Sequence, residues 1–187
     1  TINTYTTTSA ANGAYQFALI PAGNYSLTAN IAGYNTTELI VFVEPETTNY
    51  QNVAMLRPSM AVTPNPYSVA VNPNEMVDGA INIANNGDGV LTWNASVSYT
   101  SPGPNTWLSI GETTGIIPAY NNFDVPVALN ANGIAAGTVK TAEITFTSSN
   151  PDVGSVVIPV TMTVAGTPLN TPFDLTATLT NPVDGVV

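Results

Sequence analysis

Asn85-Asn86-Gly87-Asp88-Gly89-Val90-Leu91-Thr92-Trp93 reads as a polar, glycine-rich turn feeding a strand. Residues two apart share one face of a strand, so Leu91, Trp93, Ala95, Val97 and Tyr99 form an apolar stripe with polar residues between them. The second of the two tryptophans follows one strand length later, in Trp107-Leu108-Ser109-Ile110. The parity of Trp93 with Leu91 and Val97 puts its ring in a core. Trp107 follows a loop and is less constrained by its neighbours.

Outward from this stretch, Gly and Pro recur every eight to twelve residues or so, separating short runs rich in Val, Ile, Thr, Tyr and Phe. This is the pattern of an all-β sandwich. The chain has 187 residues, 44% of them hydrophobic, which is enough for one large or two small cores. Charged residues are only 7%, against roughly 25% in an average soluble protein, so Thr, Asn and Ser must supply the polar surface.

Two Lys and Arg against 12 Asp and Glu give a formal net charge of −10. Phosphate backbones and anionic lipid surfaces would repel such a chain, and nucleic acid is not expected as a partner. No apolar run approaches the roughly 18 residues that span a bilayer, and Thr1-Ile2-Asn3 does not read as a signal peptide. An export signal, if used, is expected outside these residues.

In the first third, Asn12-Gly13 marks a tight turn, after which Tyr15, Phe17 and Leu19 are expected to share one strand face. Pro21-Ala22-Gly23 makes the next corner. Tyr25, Leu27 and Ala29 alternate in a second strand, Leu39, Val41 and Val43 in a third, and a last strand is expected near Val53 and Met55. Gly13-Ala14-Tyr15-Gln16-Phe17, Ile20-Pro21-Ala22-Gly23-Asn24-Tyr25 and Ala32-Gly33-Tyr34 together resemble the carboxypeptidase regulatory-like (transthyretin-like) β-sandwich found in many secreted bacterial proteins. The resemblance covers residues 1–56. Members of that family usually begin with a further strand and turn, so it implies a module truncated at its start.

Leu56-Arg57-Pro58-Ser59 is a short junction, because Pro58 biases Arg57 to extended geometry and ends a ladder. A second module is expected over residues 59–165, with seven or eight strands. Its stripes include Tyr67 to Val71, Ile81 and Ile83, Phe123 to Leu129, Ala142 to Phe146, and Val156 to Val164. The succession NNGDGVLTW, WLSI, GIAAGTVKTAEITFTSSNP and VVIPVTMTV is similar to the BACON-like and related Ig-like modules of secreted bacterial proteins. That similarity implies a spacer or a carbohydrate-associated module. Residues 166–187 alternate Phe173, Leu175, Ala177 and Leu179 with Asp174, Thr176, Thr178 and Thr180, and resemble a linker and first strand of a fibronectin type III domain.

The chain has no histidine and no cysteine. Ser-His-Asp triads, imidazole acid/base catalysis, His–zinc sites, disulfides and thiolate chemistry all require one or the other. Lys140 is the one lysine open to a Ser–Lys pair, and it reads as a surface residue. Asp78, Asp88, Glu112, Asp124, Glu143 and Asp152 fall in turns or on outward strand positions, and a glycosidase would need two of them at about 5 or 9 Å.

Asn85, Asn86 and Asp88 form an oxygen-rich loop, the candidate calcium site, although calcium needs six to eight oxygens and no D-x-D-x-D series is present. The competing reading is a structural turn, since Asn and Asp favour turns for their local hydrogen bonds. Glu44-Pro45-Glu46 is a weaker site of the same kind. Trp107 is the candidate ligand residue, as an aromatic platform for a sugar ring. Tyr5, Tyr50, Tyr67 and Tyr120 are further candidates for exposed aromatics.

These observations lead to three functional expectations. The first is a non-catalytic structural or adhesive segment of a large secreted or cell-surface bacterial protein, partnered by neighbouring β-sandwich modules or another surface protein. The second is a carbohydrate-binding accessory region of a secreted hydrolase, partnered by polysaccharide. The third is the subunit of an extracellular fibre, in which residues 173–179 of one copy complete a sheet of the next by β-augmentation.

Overall fold

The computed structural model describes residues 3–148 and 154–166, and these residues are all-β, with no helix. The Ser149–Asp152 turn and the strand read at Phe173–Leu179 lie outside the described residues, as does Asp152.

The first module contains two paired strands, β1 (Gly23–Ala29) and β2 (Thr37–Val43), antiparallel in the register Tyr25↔Val41 and Leu27↔Leu39. Alternation places those four side chains on one half-buried face and leaves Ile40 (78% exposed) and Phe42 (53% exposed) on the other. The expected strands at Tyr15–Leu19 and near Val53–Met55 are not formed. Tyr15, Phe17, Val53 and Met55 keep the half-buried alternation of strands, but no backbone ladder joins them to a neighbour. Individual bonds hold them instead: the Tyr15 hydroxyl donates to the Gln51 carbonyl (2.6 Å) and the Thr37 hydroxyl to the Ala54 carbonyl (2.8 Å). The Asn12-Gly13 turn is present, with Gly13 at φ +81° and the Ala10 amide donating to the Ala14 carbonyl.

The second module is a two-layer Ig-like sandwich. Its four-stranded sheet runs β3 (Met60–Thr63), β5 (Met76–Asn85), β9 (Asn122–Asn130), β7 (Leu108–Ile110). The facing five-stranded sheet runs β4 (Tyr67–Val71), β11 (Ser155–Val164), β10 (Val139–Ser148), β6 (Leu91–Tyr99), β8 (Thr114–Ile117). These nine strands exceed the seven or eight expected from the sequence. The first strand divides at Thr63-Pro64-Asn65-Pro66, where each proline lacks the N–H a ladder needs. The chain there leaves one sheet, where β3 pairs β5, and joins the other, where β4 runs parallel to β11. The short β7 and β8 also lie in opposite sheets.

Among the described residues, the buried hydrophobic core runs from Val62 to Val164, and outside it the junction residue Pro58 is buried. Trp93, Ile81, Ile83, Leu91, Leu129, Ile144, Phe146, Ile158 and Met162 fill the space between the sheets. Burying each such side chain contributes roughly 1.5–3 kcal/mol, so the second module carries the stability of the chain. The half-buried residues of the first module supply far less.

Strand directions set the two ends of this sandwich. Met60 is opposite Asn85, Leu91 opposite Ile117, and Trp93 opposite Ser148, so the chain arrives at the end formed by the Asn85–Val90 turn. Val164 lies beside Val71, at the far end, where the chain leaves.

Candidate functional site at the module joint

The turn from Asn85 to Val90 and the junction from Arg57 to Ser59 pack together and build the most elaborate polar site among the described residues. Its centre is Asn85, at the end of β5 and only 1% exposed. A buried amide needs partners for both of its ends. Its Nδ2 donates towards the carbonyls of Gly89 (2.7 Å), Pro118 (3.0 Å) and Ile117 (3.2 Å). Its Oδ1 accepts from the amides of Ser59 (3.1 Å) and Gly87 (3.1 Å). One side chain therefore ties together the turn, the end of β8 and the junction.

Two glycines of the turn seat the junction. A Cβ on Gly87 would overlap the Arg57 carbonyl and lie 2.7 Å from the Ser59 nitrogen; one on Gly89 would overlap Asn35 Oδ1 and lie 2.9 Å from the Arg57 backbone. Neither glycine is in the left-handed region, so close approach, not turn geometry, requires them. Backbone bonds hold the seat: Gly89 N–H to the Arg57 carbonyl (3.1 Å) and Asn86 N–H to the Ser59 carbonyl (2.8 Å). Asp88 Oδ1 accepts from the Arg57 amide at 2.7 Å.

The first module reaches the same turn directly. Asn35 Nδ2 donates to the Val90 carbonyl (3.0 Å), and the Asn35 amide donates to the Leu56 carbonyl (2.7 Å). The Arg57 guanidinium lies 5.8 Å from the centre of the Tyr34 ring, within cation–π range. A shallow cleft of about 450 Å³ opens beside the seat, walled by Arg57, Met60, Asn86, Asp88 and Tyr120. Tyr120 stands at its rim, 74% exposed, at φ +56°, with its amide donating to the Gly87 carbonyl.

The candidate calcium ligands are thus separated by role. Both acceptor directions of Asn85 Oδ1 are taken by amides and its NH₂ faces carbonyls, so Asn85 offers a cation no oxygen. This corrects its reading as a ligand. Asn86 and Asp88 are exposed, with one Asp88 oxygen holding the Arg57 amide. Among the described residues no three His, Cys, Asp or Glu side chains converge on a metal position. Glu44 and Glu46 are exposed, with the Glu44 amide donating to Asn49 Oδ1.

Trp107, the candidate sugar platform, is 2% exposed. Its ring packs edge-on against Tyr99 at 6.0 Å, and the Tyr99 hydroxyl donates to the Leu108 carbonyl. The expectation of a looser, ligand-facing ring is therefore corrected: Tyr99, at the end of its stripe, closes over it. Tyr5, Tyr50 and Tyr120 are exposed, whereas Tyr67 is buried with its hydroxyl over Gly79. Asp78, Asp88, Glu112, Asp124 and Glu143 are all exposed, and Asp124 accepts from Asn82 Nδ2 at 2.7 Å. Lys140 is half-buried and donates to the Pro102 carbonyl at 2.6 Å, so it is a strand-to-loop tie.

Asn35 is the joint residue that sequence reasoning passed over. It lies after the Gly33-Tyr34 turn and looks like one more polar turn residue; nothing local signals a partner 55 positions away.

The family model of the carboxypeptidase regulatory-like domain matches residues 1–56. No curated protein matches the chain. Similar solved structures include the secreted serine protease VesC from Vibrio cholerae, with 16% identity over 57% of this chain and a TM-score of 0.44. The CsuC–CsuE chaperone–tip adhesion subunit pre-assembly complex from Acinetobacter baumannii gives 9% identity over 57% of this chain and a TM-score of 0.45. The PapD-like domain 7 of human CEP192 gives 10% identity over 66% and a TM-score of 0.42. The matches span 23%, 57% and 99% of those chains respectively. The likeness is one of β-sandwich arrangement.

Proposed function

We propose that this chain is a non-catalytic spacer and interaction segment of a secreted or cell-surface bacterial protein, in which an Ig-like module of the BACON-like kind follows a carboxypeptidase regulatory-like one. The observation that carries the reading is the seated joint. Gly87 and Gly89 admit the Arg57–Ser59 backbone at contact distance, Asn85 and Asp88 bind its amides, and Asn35 bonds across to Val90. A spacer must hold its modules at a set angle, and a junction bonded along its backbone loses the hinge freedom of a free linker. The path of the chain supports the same reading, since it arrives at one end of the sandwich and leaves at the other. The absence of histidine and cysteine from these residues and the dispersed, exposed carboxylates support a non-catalytic role.

Residual dipolar couplings test the proposal. Both modules of the native chain are expected to report one alignment tensor. Gly87→Ala is expected to unseat the junction and split the tensors, with the amide spectrum of the sandwich core unchanged. Two unrelated tensors in the native chain would overturn the spacer reading.

A further inference from the structure

We propose that the outer edge of β1 receives Phe173–Leu179 of a second copy of this chain as an added antiparallel or parallel strand. β1 pairs with β2 on one side, and among the described residues no hydrogen bond reaches its backbone from the other. The edge of β2 differs, because Asn49 Nδ2 donates to the Phe42 carbonyl. Exposed edges are normally guarded by charge, proline or a bulge. β1, with the sequence Gly-Asn-Tyr-Ser-Leu-Thr-Ala, has no charge and no proline, and its register with β2 runs unbroken through seven pairs.

The pattern on β1 specifies what would fit. Tyr25 and Leu27 lie with Leu39 and Val41 on the half-buried face, while Asn24, Ser26 and Thr28 face solvent. A strand extending this sheet needs apolar residues at alternate positions on the first face and small polar ones on the second. Phe173, Leu175, Ala177 and Leu179, alternating with Asp174, Thr176 and Thr178, supply that pattern.

Reach decides that the strand comes from another copy. The chain leaves the second module at Val164, at the end opposite the joint. Returning along the sandwich means covering the ten residues of β11, roughly 30 Å. Residues 167–172 span only about 20 Å when fully extended. That is shorter than the sandwich, and β1 lies beyond the joint, so the proposed strand is given by a second copy. An edge beyond the joint, filled by a segment that follows the opposite end of the sandwich, is a head-to-tail arrangement that generates open chains.

Sedimentation velocity of the full chain over a wide concentration range, with hydrogen exchange followed at the amides of Asn24 to Thr28, tests this. Oligomers are expected to grow with concentration, with protection of these amides only in the oligomer. Thr176→Pro removes a donor N–H and is expected to abolish both, leaving the melting of the second module unchanged. A peptide of residues 171–181 in excess should dissolve native oligomers and protect β1 itself. A monomer at all concentrations would overturn the proposal, as would oligomers that persist in Thr176→Pro. Protection of β1 in the dilute monomer would place a strand of the same polypeptide on the edge and equally overturn it. None of these outcomes bears on the alignment tensors, so the spacer reading stands or falls separately.

Discussion

The indole of Trp93 lies flat against Gly115, its partner in the β6–β8 ladder: a Cβ at position 115 would lie 2.7 Å from Nε1, 2.9 Å from Cε2 and 3.0 Å from Cζ2. The ring also meets Phe123 and Phe146 at centroid separations of 5.9 and 6.0 Å, so it has nowhere to retreat. Its Nε1 is buried with no hydrogen-bond partner among the described residues.

Gly115→Ala is therefore an overpacking change, expected to cost about 1–3 kcal/mol in urea unfolding. In a Trp93→Phe background the smaller ring vacates the clash, and the same substitution should cost less. A double-mutant cycle reads the coupling. Additive effects would show that the ring does not depend on Gly115.

Asn85→Ala leaves two amides and three carbonyls at the joint without the side chain that now pairs them. A loss of about 3 kcal/mol or more is expected, in the range of other broken buried networks. Asn85→Asp should be at least as damaging, because a carboxylate oxygen would replace the NH₂ that faces three carbonyls. Asn86→Ala, on the exposed neighbour, should stay within about 0.5 kcal/mol. Denaturant melts of the three variants separate a structural hub from a polar loop of interchangeable residues.

Burial raises the hydroxyl pKa of both Tyr67 and Tyr99 above the ordinary tyrosine value. Each folded hydroxyl thus holds its proton more tightly than the unfolded chain does. Below the unfolded value, near pH 10, this stabilisation is fully present; as pH rises through the folded values it is lost. Urea melts from about pH 8 to about pH 11 should show stability falling on the alkaline side. The fall should be shallower in Tyr99→Phe, which keeps the ring on Trp107 and loses only the bond to Leu108. An unchanged alkaline slope in that variant would remove Tyr99 from the explanation.

Much of the second module was legible in the chain because alternation is a local signal. Leu91, Trp93 and the β9, β10 and β11 stripes each announce a strand with one buried face, and each forms one. The same signal misled at Tyr15–Leu19 and Val53–Met55: Tyr15, Phe17, Val53 and Met55 are half-buried, but Leu19, expected on their face, is 98% exposed at φ +57°, and no neighbouring backbone completed a ladder. A strand is a property of a pair, and a sequence window contains only one member.

The sequence by itself determined the all-β class, the parity that buries Trp93, and the lack of imidazole and thiol groups in these residues. The tertiary structure decided what the Asn85–Gly89 turn is for. Asn85 is a buried clasp, and Gly87 and Gly89 are glycine because the Arg57–Ser59 and Asn35 atoms come within contact distance from 28 to 54 positions away. It also decided that Trp107 is core, since the ring that covers it comes from the far end of β6. Composition and periodicity are written along the chain; contact across such separations is produced only when the sheets close on one another.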